Sequence, residues 1–289
     1  MHYSEYQLNC SRCHTNDQLS WSKILVVVDT LSGNSDKLAV LSKARYQRVS
    51  DGAETSLVTS ATKQVVLVWP QLGDFDSLEY AWWLRRGADE LTAKGLVVRA
   101  LGIGDRNSGK AFCQYTGFPE DSLLLDLDGS LHEELELYPG LTLAVPGFNQ
   151  RQNAWLNLLL MCAGIGSPGT LPEVFRGYLG DRNAPQLIED DEVVQATPLP
   201  PIKGEFFKRA GGKGFQRPFE LATLRLRNMA EVLGKWQAYV PDVSHITQRG
   251  ATYVIANGEI VYEHRDRNIL GFATNMSNPL SFLDDVDWG

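Results

Sequence analysis

The apolar and polar residues of the chain form blocks that predict strands and helices in alternation. Apolar runs with the length and composition of buried strands lie at residues 23–31, 64–69, 96–103 and 122–127. Segments with helical spacing lie between or beside these runs, at residues 35–46, 75–94 and 107–116. Such alternation predicts a three-layer α/β fold with parallel pairs of strands.

The second half of the chain has a different pattern. It contains three predicted helices, the first very apolar and the last started by a proline, at residues 153–164, 171–179 and 218–239. The acidic, proline-containing stretch at 181–201 predicts irregular structure. Asn257 and Gly258 separate two strand patterns, at 251–255 and 259–264, and therefore predict a β-hairpin.

This order of elements favours a thioredoxin-like α/β fold, a three-layer sandwich with a central mixed sheet. We expect the thioredoxin-like domain to cover residues 38–289, with a helical and irregular insert at 141–245 before the C-terminal β-hairpin. Residues 1–37 are expected to form an N-terminal extension outside that domain.

Composition narrows the classes of function. Apolar residues make up 43% of the 289 residues and charged residues 21%, so the chain can form a sizeable packed core. The formal net charge of −8 argues against nucleic-acid binding by the whole surface. Four cysteines are too few for a secreted disulfide framework, and no apolar run is long enough to span a bilayer. Because no secretory signal is found at the N-terminus, these features predict a cytoplasmic protein.

A strand, a tight turn and a helix start meet within residues 64–94, a common location for reactive groups. The turn contains Asp74, Asp76 and Ser77 but neither cysteine nor lysine. Asp74 or Asp76 can cap the helix, and Asp76 with Glu79 has the spacing of a capping box, so capping alone explains the turn. Ser77 as a nucleophile would need a histidine base, and no Gly-x-Ser-x-Gly elbow surrounds it.

Four segments resemble the peroxiredoxin-like group of thioredoxin-fold proteins, the AhpC/TSA antioxidant superfamily. They are the strand-turn-helix at 64–94, LVVRALGIGDRNSGKAFCQYTGFP at 96–119, LLLDLDGSLHEELELYPG at 123–140 and RGATYVIANGEIVYEHRDRN at 249–268. The insert sequence at 158–185 is similar to that of a cyanobacterial and plastid-type branch. That similarity implies a cytoplasmic protein or one associated with thylakoids.

The resemblance also implies a peroxide site. The family pattern Pro-x-x-x-Thr/Ser-x-x-Cys falls here on Pro70, Asp74 and Ser77, and the thiols of a Cys-x-x-Cys branch would fall on Asp74 and Ser77. The family's thiolate depends on a helix N-terminus and a cation that lower the thiol pKa, and a serine hydroxyl has no comparable acidity. Arg249, one residue from the position of a family arginine, is expected to lie near the turn.

The cysteines of the chain offer alternative chemistry. Cys113 and Cys162 lie in predicted helices, where cysteines usually pack in the core. A redox role remains an alternative for each, and Cys113 is the one assigned to a residual oxidoreductase. Cys10 and Cys13, followed by His14, match a pattern for haem attachment, a zinc half-site or a redox dithiol. No export signal supports haem attachment, no second pair of ligands lies nearby to complete a zinc site, and no predicted strand leads into the motif as in a redox dithiol. The pattern is therefore also consistent with no special chemistry.

A further alternative is a flavodoxin-like phosphate loop after the first predicted strand. The FMN phosphate would be held by hydroxyls and backbone N–H groups of Thr30, Ser32, Gly33, Asn34 and Ser35. Residues 47–63 are polar and turn-like, and they do not supply a second nucleotide-binding unit. We therefore expect no bound cofactor and no metal.

The segment at 203–235 is basic and rich in phenylalanine. It carries eight Lys and Arg residues against three glutamates, a net charge of +5. Such a segment predicts docking of a protein or another anionic partner, including peripheral contact with a membrane, but no specific nucleic acid. Taken together, the sequence predicts a peroxiredoxin-like protein that has lost thiol peroxidase activity and acts as a binding or regulatory module. A residual oxidoreductase and an FMN binder are the alternatives.

Overall fold

A seven-stranded mixed sheet lies at the centre of the computed structural model, which describes residues 34–286 and Trp288. The described strands are β1 (Arg45–Arg48), β2 (Glu54–Ser56), β3 (Lys63–Gln71), β4 (Val97–Ile103), β5 (Leu123–Asp126), β6 (Val193–Val194), β7 (Ile202–Lys203), β8 (Ala251–Ala256) and β9 (Glu259–Arg265). The large sheet has the spatial order β2-β1-β5-β4-β3-β8-β9, and β6 and β7 form a separate small sheet.

Helices cover both faces of the large sheet. The described part of α1 covers residues 34–43. The later helices are α2 (Phe75–Arg86), α3 (Ala88–Ala93), α4 (Arg106–Thr116), α5 (Ser130–Glu134), α6 (Gln150–Cys162), α7 (Thr170–Leu179), α8 (Glu205–Gly211), α9 (Glu220–Gly234), α10 (Trp236–Tyr239) and α11 (Phe282–Asp285).

Strand β3 is buried on both faces because its side chains alternate between two cores. Val65, Leu67 and Trp69 pack in the core that contains residues of α2, α4 and α9. Val66 and Val68 pack in the second core, with residues of α1 and α5. Two helical layers on a central mixed sheet confirm the predicted thioredoxin-like α/β fold class.

The strand pairing brings the C-terminal hairpin to the end of β3. Strand β3 runs parallel to β4 and antiparallel to β8, and β8 pairs with β9 as predicted. The hairpin turn places Asn257 and Gly258 at φ of 51° and 82°, a conformation that an Asn-Gly pair adopts at low cost. Because Ala251 pairs with Val68, the residues just before β8 lie beside the turn that follows β3.

Two local predictions were wrong. The predicted helix at 35–46 ends at residue 43, and the polar stretch after it contains the short strands β1 and β2 rather than turns alone. The predicted helix at 75–94 is interrupted at Gly87, between α2 and α3. A side chain at Gly87 would bring its Cβ within 2.6 Å of Leu280 Cδ1, so the break coincides with a close approach of the C-terminal segment.

The insert at 141–245 contains α6 to α10 and the small sheet of β6 and β7. Strand β6 lies within the stretch at 181–201 that was predicted to be irregular. Leu187, Ile188 and Phe207 of the insert are buried in the same core as α2. The insert is therefore packed into the domain. In the described chain, no helix is long and apolar enough to cross a bilayer.

Several predicted features lie outside the described residues. These are the strand at 23–31, the motif of Cys10, Cys13 and His14, and Thr30, Ser32 and Gly33 of the flavodoxin-like loop. The last two residues of that loop, Asn34 and Ser35, lie in α1. The predicted boundary between residues 37 and 38 falls within the same helix.

Candidate functional site

The turn between β3 and α2 is held by an aspartate cap. Asp74 is the N-cap of α2, and its Oδ1 accepts a hydrogen bond of 2.8 Å from the N–H of Asp76. This bond satisfies one of the free N–H groups in the first turn of the helix. The predicted capping box of Asp76 and Glu79 does not form, because Glu79 accepts hydrogen bonds from Arg225 through both carboxylate oxygens. The side chain of Asp76 is buried, with 1% of its surface exposed.

Arg249 binds both carboxylates at the start of α2. Its side chain is fully buried, and Nη1 donates to Asp76 Oδ2 at 3.1 Å while Nη2 donates to Asp74 Oδ2. Nε donates to the backbone carbonyl of Thr247 at 3.2 Å. Each of the three guanidinium nitrogens therefore donates a hydrogen bond to an acceptor within the protein.

Asp266 is a third buried carboxylate beside this cation. Its Oδ2 accepts from the N–H of Gly250 at 3.2 Å, and its Oδ1 lies 3.5 Å from Nε2 of His264. The N–H of Leu270 donates to both oxygens of Asp76, at 2.9 and 2.8 Å, from a left-handed backbone with φ of 59°. Asp74, Asp76, Asp266 and Arg249 together form what we call the buried charge cluster.

Burial makes the carboxylates of this cluster difficult to ionise. Desolvation raises the pKa of Asp76 well above its usual value, the charge of Asp74 raises it further, and Arg249 opposes both effects. Burial likewise raises the pKa of Asp266 to about 7, again opposed by the charge of Arg249. One cation therefore faces three carboxyl groups, and burial opposes the charged forms of Asp76 and Asp266.

Ser77, at the position that the resemblance assigns to a cysteine, is enclosed by protein. It is 1% exposed, and its Oγ has no hydrogen-bond partner within the described residues. Pro70 is buried in β3 on the other side of the turn. The nearby His132 is bonded to the carbonyl of Trp69 at 2.9 Å, and burial lowers its pKa to about 4. No histidine of the described chain is hydrogen-bonded to Ser77, so acyl transfer at this hydroxyl has no base.

The two described cysteines differ in their surroundings. Cys113 lies in α4 within the main core, and burial raises its thiol pKa to about 12. Cys162, expected to pack in the core, is exposed at the end of α6. That expectation was wrong because α6, although apolar, leaves most of its residues at least partly exposed. Desolvation by the surrounding protein still raises the Cys162 pKa, and the charge of Asp74 raises it further. Cys162 lines the same cavity as Phe75 and Leu270, which adjoin the buried charge cluster.

Much of the positive charge at 203–235 is neutralised within the protein. Five of its cations are in ion pairs with acidic residues, namely Lys208, Lys213, Arg217, Arg225 and Lys235. Within the described chain, Lys203, Arg209 and Arg227 form no ion pair. The free positive surface is therefore smaller than the net charge of the segment indicates.

The residue pattern did not point to Asp266, Leu270 or Cys162 as parts of this region. Asp266 and Leu270 follow β9 and reach the turn only because the hairpin returns to it, a contact without a local signal. The charged run HRDRN, which begins at the last residue of a predicted strand, is the feature that could have drawn attention to Asp266. Within the described residues, no group of three or more His, Cys, Asp or Glu side chains is arranged to hold a metal ion.

Comparison with known proteins finds a match to one protein family. A family model described as AhpC/TSA antioxidant enzyme matches residues 83–268. The matched range begins within α2, after the turn, and includes Arg249 and Asp266. No curated protein and no solved structure shows a significant match to the chain.

Proposed function

The chain belongs to the AhpC/TSA antioxidant enzyme family, and from that premise we propose a peroxiredoxin-like protein that lacks thiol peroxidase activity and works as a binding module. The observation that supports this proposal is that carboxylates, and no thiol, lie at the turn between β3 and α2. Asp74 and Ser77 stand at the thiol positions, and Arg249 is held by Asp74 and Asp76. A peroxidatic thiolate needs a helix N-terminus and a cation, and both are engaged here by carboxylates.

A residual thiol oxidoreductase has less support. Oxidation to sulfenic acid begins from an accessible thiolate, whereas Cys113 is buried and burial raises its pKa to about 12. The dithiol of Cys10 and Cys13 and the FMN loop at 30–35 rest mainly on residues outside the described range and stay predictions.

The binding role is supported by the surface of the insert. Lys203 and Arg209 are exposed next to Phe206, which is 59% exposed. Exposed aromatic and cationic side chains in one patch are typical of surfaces that bind an anionic partner. The cyanobacterial or plastid-type origin and a cytoplasmic or thylakoid-associated location belong to the same proposal, and they rest on the similarity of the insert sequence.

Peroxide consumption by the full chain with a thiol donor tests the loss of activity. We expect the rate of the donor alone, with no change in Cys113→Ser or in Cys10→Ser/Cys13→Ser. Turnover above the rate of the donor alone would contradict the proposal, and its loss in one of these variants or in Cys162→Ser would identify the redox thiol.

Partner capture from the host extract tests the binding role. Deletion of 203–235 is unsuitable because Leu221 and Leu224 of α9 belong to the core. Lys203→Glu/Arg209→Glu reverses only exposed charges, and we expect it to lose a partner that the unaltered chain retains. The matched control is Lys43→Glu/Lys110→Glu, which reverses two exposed lysines elsewhere. Equal recovery by all three proteins would contradict binding through this surface.

A further inference from the structure

An apolar cavity of about 350 Å³ lies beside the start of α2. Phe75, Cys162 and Leu270 line it close to the buried charge cluster, since Phe75 follows Asp74 and Leu270 binds Asp76 through its N–H. The rest of the lining comes mainly from apolar side chains of α7 and α9, including Val174 and Met229. This volume is within the range of small-molecule sites, roughly 300–1,000 Å³. We call it the inner cavity.

A second, more open space of about 940 Å³ adjoins the inner cavity. The two spaces share Leu199, Phe219 and Thr223 in their linings. The second space, which we call the outer groove, is lined beyond these residues by β7 and α8. A narrow ligand could therefore extend from the outer groove to the start of α2.

Some apolar side chains that line the two spaces are exposed at the rim, and others lie buried below it. Phe206 and Phe219 of the outer groove are 59% and 53% exposed, whereas Phe207 is buried. In the inner cavity, Thr170 and Leu270 are also buried. A flat partner such as a membrane surface could cover the rim but could not reach the recessed residues. The recessed apolar residues therefore favour a ligand with a flexible apolar chain that can enter the inner cavity.

The positive charge lies at the outer end. Lys203, Lys208 and Arg209 line the outer groove together with a single acidic residue, Glu205. Lys208 lies 3.4 Å from Asp190. Lys203 and Arg209, by contrast, form no ion pair within the described chain. The inner cavity has only Arg225 as a cation, and that guanidinium is bound by Glu79 and Glu173. An anionic group is thus favoured at the outer end and an apolar group at the inner end.

We propose that this pair of spaces binds a long-chain fatty acid, with its carboxylate at Lys203 and Arg209 and its apolar tail directed towards Phe75 and Cys162. The inference rests on the proposed function, because it names the ligand of the binding module. Binding is non-covalent and driven by burial of the tail. The tail would occupy the space in front of the family's catalytic turn.

Displacement of cis-parinaric acid, a fluorescent long-chain carboxylate, from the full chain measures the binding. Saturated fatty acids of about eight to eighteen carbons should bind about fourfold more tightly per methylene until the cavity is filled, as expected from about 0.8 kcal/mol per buried CH₂. Lys203→Ala/Arg209→Ala should weaken fatty-acid binding about tenfold but leave the uncharged alcohol of equal length unchanged. Lys43→Ala/Lys110→Ala is the matched control.

Two further measurements place the tail. Met229→Trp fills the inner cavity from a partly exposed position of α9 and should abolish binding. Leu233→Trp, one turn along the same helix and outside the lining, should not. Bound fatty acid should also slow alkylation of Cys162 at least tenfold in the unaltered protein, as read from the peptide that contains it.

Three outcomes would overturn the inference. These are no displacement by any fatty acid, equal loss of binding in Met229→Trp and Leu233→Trp, and binding to phosphatidylglycerol vesicles without binding to monomeric fatty acid. In each case, the proposed function would still stand if the protein consumed no peroxide and if Lys203→Glu/Arg209→Glu failed to capture a partner that the unaltered chain captures. Peroxide turnover by Cys113 or by Cys10 and Cys13 would instead overturn the proposed function, whatever the fatty-acid result.

Discussion

Arg249 and Asp76 form an ion pair that is shielded from solvent, with Nη1 of the arginine 3.1 Å from Oδ2 of the aspartate. The pair joins the segment before β8 to the first turn of α2, although 173 residues separate its members. It occupies the place where the resemblance implies a cation beside a thiolate. By the resemblance, Arg249 lies one residue from the position of a family arginine, and its partners in this protein are carboxylates.

Arg249→Met should strongly destabilise the fold. The change leaves Asp76 and Asp74 without their cation, and removal of one partner from a buried pair costs about 3–5 kcal/mol. Urea unfolding at pH 7 measures this loss. The double variant Arg249→Met/Asp76→Asn should recover part of it, because it removes the uncompensated charge. The control Arg151→Ala, an exposed arginine of α6, should change stability little. A loss below about 1 kcal/mol in Arg249→Met would mean that the pair has no such role.

Asp266 should make the protein less stable as the pH rises. Burial raises its pKa to about 7 in the folded protein, whereas an unfolded chain has an Asp pKa of about 3.9. Between these values the folded state binds more protons, so the free energy of unfolding falls with increasing pH through this group.

Asp266→Asn should therefore unfold with a weaker pH dependence between pH 4 and 7 and gain about 2–4 kcal/mol over the unaltered protein at pH 8. The asparagine can still accept the hydrogen bond from Gly250. Thermal or urea unfolding across this pH range is the measurement, with the exposed Asp89→Asn as control. An unchanged slope would show that other groups govern the pH dependence.

Local features of this chain were predictable, and distant contacts were not. The helix cap at Asp74, the buried strand β3 and the Asn257-Gly258 turn follow from residue type and spacing alone. Strands β1 and β2 are short, with β2 at the sheet edge and β1 next to it, and their polar residues carry no strand signal. Arg249 was placed near the turn by resemblance rather than by pattern. The burial of Asp266 depends on the path of the hairpin, which no local window of sequence contains.

The two described cysteines should differ sharply in alkylation. Cys162 is exposed, whereas Cys113 is buried and has a pKa raised to about 12, so about one in 10,000 Cys113 thiols would be ionised at pH 8. Iodoacetamide at pH 8 should therefore modify Cys162 in the folded protein and Cys113 only after unfolding. Peptide mass spectrometry reads each site separately, and a sample in urea is the control. Modification of Cys113 before Cys162 would contradict the described burial.

Ser77→Cys should not create a peroxidase, although it places a thiol at the position that the resemblance assigns to the family's cysteine. The side chain at residue 77 is buried, which raises the pKa of a thiol, and Asp74 and Asp76 already hold Arg249, so the new thiol lacks a free cation beside it. Asp74→Thr/Ser77→Cys restores the family pattern after Pro70 and removes one of the two carboxylates on Arg249. We therefore expect the double variant to form more sulfenic acid with peroxide than Ser77→Cys does.

Both variants are compared in a Cys113→Ser/Cys162→Ser background by trapping of sulfenic acid. Fast oxidation of Ser77→Cys alone would show that the carboxylates do not suppress thiol chemistry at this turn.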